Sequence, residues 1–239
     1  MSQTKDPLPD LLPDASLLTR IRTGLHALWV LKDENADPYY ARLLHLSFDG
    51  DTYARLAEAM RRTPEGRELL DARRTIPGDG VDLDRLARLP EGTLGHRFAR
   101  HFRENSIEPF TFEFPLRDDA DFLNKRYRET HDIHHLVTGY GIDALGEIEL
   151  QAFYFGNLGF RHAALIMVVS LPYGLKDGGL RGVRGYVQRM RAAYRRGRSS
   201  RPILSVPFDE LWSCPVEQIE ERFLASASAS ASASASASG

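Results

Sequence analysis

"THDIHHLVTGYGIDALGEIELQ", residues 130–151, holds three of the chain's eight histidines within five positions. Its apolar and polar residues follow a helical period on both sides of Gly139 and Gly141, so the stretch reads as two helices joined by a turn. Working outward, the spacing predicts a long helix from about Asp118 to Thr138. A second helix, capped by Asp143, is predicted to run through Glu147 toward Phe160.

The same period recurs along the chain. Ser16 is a candidate N-cap for a helix with Leu17, Ile21, Leu25 and Leu28 on one face, and Asp51 for one with Tyr53, Leu56 and Met60. Thr63 precedes Pro64 at a first helical position, where its missing N–H costs nothing. A short helix over residues 81–89 ends at Pro90. Gly92 then supplies a turn and Thr93 a cap for a helix to about Asn105. Leu180, Val183, Val187, Met190 and Tyr194 mark a further amphipathic helix. "FTFEFP", residues 110–115, alternates like a strand but is short and ends in proline, so an extended linker is expected. Residues 1–15 are expected to be flexible. The Ala/Ser alternation of 225–239 has nothing to bury and reads as a disordered tail. The expectation is a single all-α domain over 16–224.

Composition sets limits. An apolar share of 42% and a charged share of 27% over 239 residues describe an ordinary globular chain. A net charge of −2 gives no global pull toward nucleic acid. One cysteine, Cys214, excludes an internal disulfide framework and an all-cysteine zinc site. Neither a secretory signal nor a mitochondrial-type leader is read at the start, so a cytoplasmic location is expected. "AALIMVVSLPY", residues 163–173, falls short of the roughly 20 residues that span a bilayer and reads as a core helix.

The histidines suggest a metal. With roughly 100° per residue, His135 lies about 40° and Asp132 about 100° round the helix from His131, while His134 falls about 60° to the other side. Histidines at i and i+4 can share one ion, and Glu147 returns on the next helix, so His131, Asp132, His135 and Glu147 are the candidate ligands. Two imidazoles with carboxylates suit zinc, iron or manganese better than magnesium, and Asp132 either binds directly or orients a histidine. A protease is disfavoured, because aspartate stands where the His-Glu-x-x-His mechanism needs glutamate. An HD-type metal-dependent hydrolase is an alternative; it needs a further histidine, His96 or His101, and a further aspartate, Asp143.

"RYRETHDIHHLVTGYGIDALGEIEL" resembles the signature of the Coq4 family of ubiquinone biosynthesis proteins: His-Asp-x-x-His, eleven residues, then Glu. "LPEGTLG" at 89–95 and "ILSVPFDELWSCPVEQIEERF" at 203–223 are similar to two further blocks. The resemblance implies an all-helical protein with a metal, typically zinc, at His131, Asp132, His135 and Glu147. It also implies a place in coenzyme Q synthesis, by holding a polyprenylated ring intermediate, organising partner enzymes, or decarboxylating the ring oxidatively. His134 is an extra imidazole beside the motif, and the chain is expected to be a bacterial relative acting on a quinone precursor or a specialised metabolite.

Two other stretches invite roles. Gly178–Phe208 holds eight arginines and no acidic residue, which reads as a solvated face or as a surface for anionic lipid. Leu150–Tyr173 is rich in aromatics and reads as core or as the wall of a prenyl tunnel leading from Glu147. Leu150 and Tyr154 there, with Arg128 in the matching block, are the candidate substrate contacts. A homo-oligomer, quinone-biosynthesis enzymes and peripheral membrane contact are the expected partners, and nucleic acid is not. Two classes stay open: a metal-dependent decarboxylase or hydroxylase, and a lipid-holding scaffold.

Overall fold

A computed structural model describes residues 15–31, 39–76, 80–107, 116–176 and 179–224. The segment 1–14, the expected linker at 110–115 and the Ala/Ser tail lie outside the described residues. Among the described residues there is no strand, and the all-α expectation holds. The helices are α1 (Leu17–Val30), α2 (Tyr39–Asp49), α3 (Thr52–Arg61), α4 (Pro64–Ala72), α5 (Leu83–Ala87), α6 (Leu94–Glu104) and α7 (Asp119–Glu129). They continue as α8 (His131–Thr138), α9 (Ala144–Asn157), α10 (Arg161–Val169), α11 (Leu171–Lys176), α12 (Gly179–Ser199) and α13 (Val216–Ile219). None is long and apolar enough to cross a membrane.

Several helix starts follow from their caps. Ser16, Thr63, Thr93 and Asp143 each accept a backbone N–H from three residues ahead. Asp51 does not; its carboxylate pairs with Arg55 and Arg161 instead of closing α3.

The expected long helix is two helices. Thr130 interrupts it, with its hydroxyl donating to the Arg126 carbonyl at 2.7 Å, where the Thr130 N–H also donates. This back-bonding by a β-branched residue loosens and bends a helix. The helix expected to reach Phe160 ends at Asn157, whose side chain binds the Gly197 and Arg201 carbonyls and the Ile203 N–H.

α9 and α12 cross with their backbones in contact. A Cβ at Gly156 would lie 2.2 Å from the Tyr194 carbonyl oxygen, and one at Gly197 would lie 2.2 Å from that of Phe153. The core around them includes Phe122, Ile133, Leu150, Phe153, Phe160 and Phe208. Arg126, fully buried, fastens the 203–206 turn by donating to the Leu204 and Val206 carbonyls and to that of Arg74. Burial draws its pKa down to about 10, against the charges of Asp209 and Glu129.

Two apolar stripes face outward. α1 packs on α2 through small Gly24 and Ala27, a close approach that turns Leu17, Leu25 and Trp29 to solvent, Trp29 being 68% exposed. The 163–173 stretch is not a core helix, since only its first turn is buried and Val168 is 69% exposed. On α12 the inward face is Tyr186, Met190, Ala193 and Gly197, while Leu180 stands outside it.

Candidate metal centre

His131 and His135 sit one turn apart at the start of α8, with ring centroids 4.8 Å apart at 82°. Gly139, in the left-handed region at φ 73°, ends α8. The turn back is tight: a Cβ on Gly146 would lie 2.1 Å from the Gly141 carbonyl oxygen, so only glycine fits before Glu147. Glu147, in the first turn of α9, then faces the imidazoles. Its Oε1 is 3.0 Å from His135 Nε2 and its Oε2 is 3.6 Å from His131 Nε2. One ligand atom from each of the three residues lies within 4.8 Å of the others.

Each imidazole is held through its other nitrogen. His135 Nδ1 donates to the Tyr140 carbonyl at 3.0 Å. His131 Nδ1 is 3.2 Å from the Tyr154 hydroxyl, which is 2.8 Å from His134 Nδ1. His134 Nε2 is 3.0 Å from the Thr130 hydroxyl. Burial, with the nearby charges of His131, His135 and Arg126, holds His134 well below the usual imidazole range, so it is neutral. Burial likewise keeps the Tyr154 phenol protonated.

The donor set fits a divalent ion. His135 Nε2 is buried and close to Glu147 Oε1 but out of line for a hydrogen bond, an orphaned atom that a cation beside the carboxylate would satisfy. Two imidazoles and a carboxylate suit zinc, iron or manganese. Burial raises the Glu147 pKa, but the His131 and His135 imidazoles facing it outweigh burial and hold the carboxyl at about 2. Burial lowers His135, yet Glu147 and the Tyr140 carbonyl carry it above its ordinary value, so a proton competes with the ion there.

The remaining candidates fall elsewhere. Asp132 is turned toward α6, with Oδ1 3.7 Å from His101 Nε2, and does not join the three-residue cluster. Burial raises its pKa, while His101 and the neighbouring imidazoles bring it below the ordinary value. His96 and His101 line a cleft of about 360 Å³ with Arg100 and Leu136. Asp143, which the hydrolase alternative requires at the metal, caps α9. Arg128 Nε donates to Asn124. Leu150 and Tyr154 are wholly buried in the main core, and the Tyr154 oxygen serves the two histidines. Of the basic stretch, Arg189 pairs with Glu149, and Arg196 binds the Thr138 carbonyl and Glu220. The roles of Thr130 and of the Tyr140 carbonyl had no signal in the sequence beyond a hydroxyl four residues before His134.

Residues 43–226 match the family model described as Coenzyme Q (ubiquinone) biosynthesis protein Coq4. A mitochondrial ubiquinone biosynthesis protein COQ4 from Coprinopsis cinerea is 30% identical over 178 residues, covering 73% of this chain and 60% of that one. Its counterpart from Eremothecium gossypii is 33% identical over 170 residues, covering 68% and 51%. The chain thus spans between half and two thirds of the length of these relatives. A crystal structure of a candidate ubiquinone biosynthesis protein from Nostoc punctiforme superposes with a TM-score of 0.68 at 26% identity, covering 86% of this chain and 96% of that one.

Proposed function

The chain belongs to the Coq4 family of coenzyme Q (ubiquinone) biosynthesis proteins, and from that premise we propose that it is a metal-dependent protein acting on a hydrophobic, prenylated benzoate on the way to a quinone. The observation that carries this reading is the convergence of His131 Nε2, His135 Nε2 and the Glu147 carboxylate, with His135 Nε2 buried and without a hydrogen bond. His131, His135 and Glu147 would hold the ion, zinc first and iron or manganese next, with Asp132 alongside. A bound divalent ion supplies Lewis-acid stabilisation of charge on a substrate carboxylate or phenol oxygen. The reaction proposed is loss of the ring carboxyl as carbon dioxide, with a proton taking its place on the ring. In an oxidative form, one atom of dioxygen takes that place as a hydroxyl and the other leaves as water, with two electrons and two protons drawn from a separate two-electron reductant. The imidazoles, fixed by Tyr154 and the Tyr140 carbonyl, keep the ion's place before substrate arrives.

Metal analysis and turnover test this reading together. His131→Ala/His135→Ala is expected to lose both bound metal and product. Full metal content and turnover in that variant would refute the proposal.

A scaffold role is the second reading, favoured by the exposed apolar faces of α1, α10 and α11, with Leu180, Arg181 and Arg184 on the first turns of α12. α1 and α10 both pack on α2, so their outer residues belong to one end of the molecule. Peripheral contact with anionic lipid, self-association and recruitment of quinone-biosynthesis enzymes form part of this reading. Equal co-sedimentation with neutral and anionic vesicles would count against the lipid contact. Product formed by the purified protein alone separates enzyme from scaffold.

A further inference from the structure

His134, Thr130 and Tyr154 are not ligands, yet they lie in series behind one. The order of donors along the series is decided at its far end. The Thr130 hydroxyl donates its only proton to the Arg126 carbonyl at 2.7 Å. Toward His134 its oxygen is therefore an acceptor, and the proton in that 3.0 Å contact belongs to His134 Nε2. His134 is wholly buried with only a hydroxyl and a phenol as its hydrogen-bond partners, which makes it a neutral imidazole with one N–H. Its Nδ1 is therefore an acceptor, and the Tyr154 hydroxyl donates to it at 2.8 Å. The phenol proton being used, the Tyr154 oxygen accepts from His131 Nδ1 at 3.2 Å. His131 then carries its proton on Nδ1 and turns a bare Nε2 toward Glu147.

We propose that Thr130, His134 and Tyr154 are positioning residues that lock His131 in its Nδ1–H tautomer, keeping Nε2 open for an ion. The inference deepens the metal reading and rests on it for its purpose. The series does not conduct protons to solvent, because it ends on a backbone carbonyl that has none to give. Its members are sealed from solvent: His134 and Tyr154 are 0% exposed and Thr130 is 1% exposed. His135 reaches the same tautomer more simply, through one bond to the Tyr140 carbonyl. The extra imidazole beside the motif thus acquires a role that ligation does not explain.

Thr130→Val is the decisive variant, since it removes one oxygen three hydrogen bonds away from His131 and keeps the shape. Without that acceptor, His134 is expected to move its proton to Nδ1. Tyr154 must then accept from His134 and donate to His131 Nδ1, which leaves the His131 proton on Nε2, facing the ion's place. Zinc affinity, measured in the full chain by competition with a chromogenic chelator, is expected to fall about 10- to 100-fold in Thr130→Val and in Tyr154→Phe. Thr130→Ser should retain wild-type affinity.

Ring-nitrogen NMR on the metal-free protein gives a readout independent of the ion. Wild type should show His131 protonated at Nδ1 and His134 at Nε2, and Thr130→Val should show both reversed. A wild-type His131 protonated at Nε2, or a Thr130→Val protein with unchanged tautomers and zinc affinity, would overturn the proposal. Should wild type and the His131→Ala/His135→Ala variant bind zinc equally, the metal reading fails, while the NMR still decides the lock.

Discussion

Among the described residues, two places gather a pair of histidines and a carboxylate. At the α8–α9 hairpin they are His131, His135 and Glu147; between α2 and α10 they are His45, His162 and Asp49. In the second cluster every group is buried, and Asp49 accepts the Arg161 N–H at 2.6 Å, the His162 N–H at 3.1 Å and His162 Nδ1 at 2.6 Å. The carboxylate thereby caps α10 from the end of α2. The His45 and His162 rings lie 3.8 Å apart between centroids, and His45 Nδ1 meets the Tyr53 hydroxyl at 3.1 Å. At the hairpin, by contrast, the carboxylate caps nothing, its side chain is 41% exposed, and both Nε2 atoms turn toward it. The same residue types make a structural joint in one place and a candidate site in the other. The difference lies in which backbone groups have already claimed the carboxylate.

The contrast can be broken most forcefully at Asp49. Asp49→Ala leaves the α10 amides and His162 Nδ1 without their acceptor and should destabilise by about 3–5 kcal/mol, as loss of one partner of a buried pair does. Glu147→Gln should leave the unfolding free energy from urea titration within about 0.5 kcal/mol of wild type, as changes outside the core do, and weaken zinc binding. A stable Asp49→Ala protein, or an unfolded Glu147→Gln one, would reverse the assignment of joint and site.

The two carboxylates also differ in what acid does to them. Burial raises the Asp49 pKa, but the His162 hydrogen bond and charge and the two α10 amides together bring it below its ordinary value. A depressed carboxyl contributes stability that is whole above the unfolded value and lost as pH falls through the folded one. The wild-type urea midpoint should therefore drop below about pH 4, and more steeply than that of Asp49→Asn. At the hairpin the raised His135 pKa means a proton retained to higher pH, so zinc affinity should decline as pH falls through that value. Zinc titrations at several pH values that show no such decline would argue against His135 as a ligand. The smallest effect on folding is expected on α1, where Trp29→Glu should change stability by no more than about 0.5 kcal/mol. A larger loss would mean that this face is covered in the folded protein.

Much of this was legible without coordinates. Caps at Ser16, Thr63, Thr93 and Asp143 could be read because each acts within four residues of itself. The pairing of His131 with His135 follows from helix geometry, and the turn that returns Glu147 follows from its glycines. Asp132 was harder, because its direction depends on His101, which arrives from a helix about thirty residues earlier. The break at Thr130 was missed because threonine is common in helices, and only its bond to the Arg126 carbonyl makes it an interruption. The direction of the α1 stripe was not legible for a related reason. Periodicity identifies an apolar face, but the contact of Gly24 and Ala27 with α2 decides which face is covered.

By itself, then, the amino-acid order determined an all-helical chain, a histidine hairpin and membership of a family, because those depend on local periodicity and on runs of neighbouring residues. Only the tertiary structure decided which carboxylate stays available, which polar groups hold the hairpin imidazoles, and which apolar faces meet solvent. Those outcomes depend on donors and acceptors brought together from distant parts of the chain, and a hydrogen bond has no address until both partners are in place.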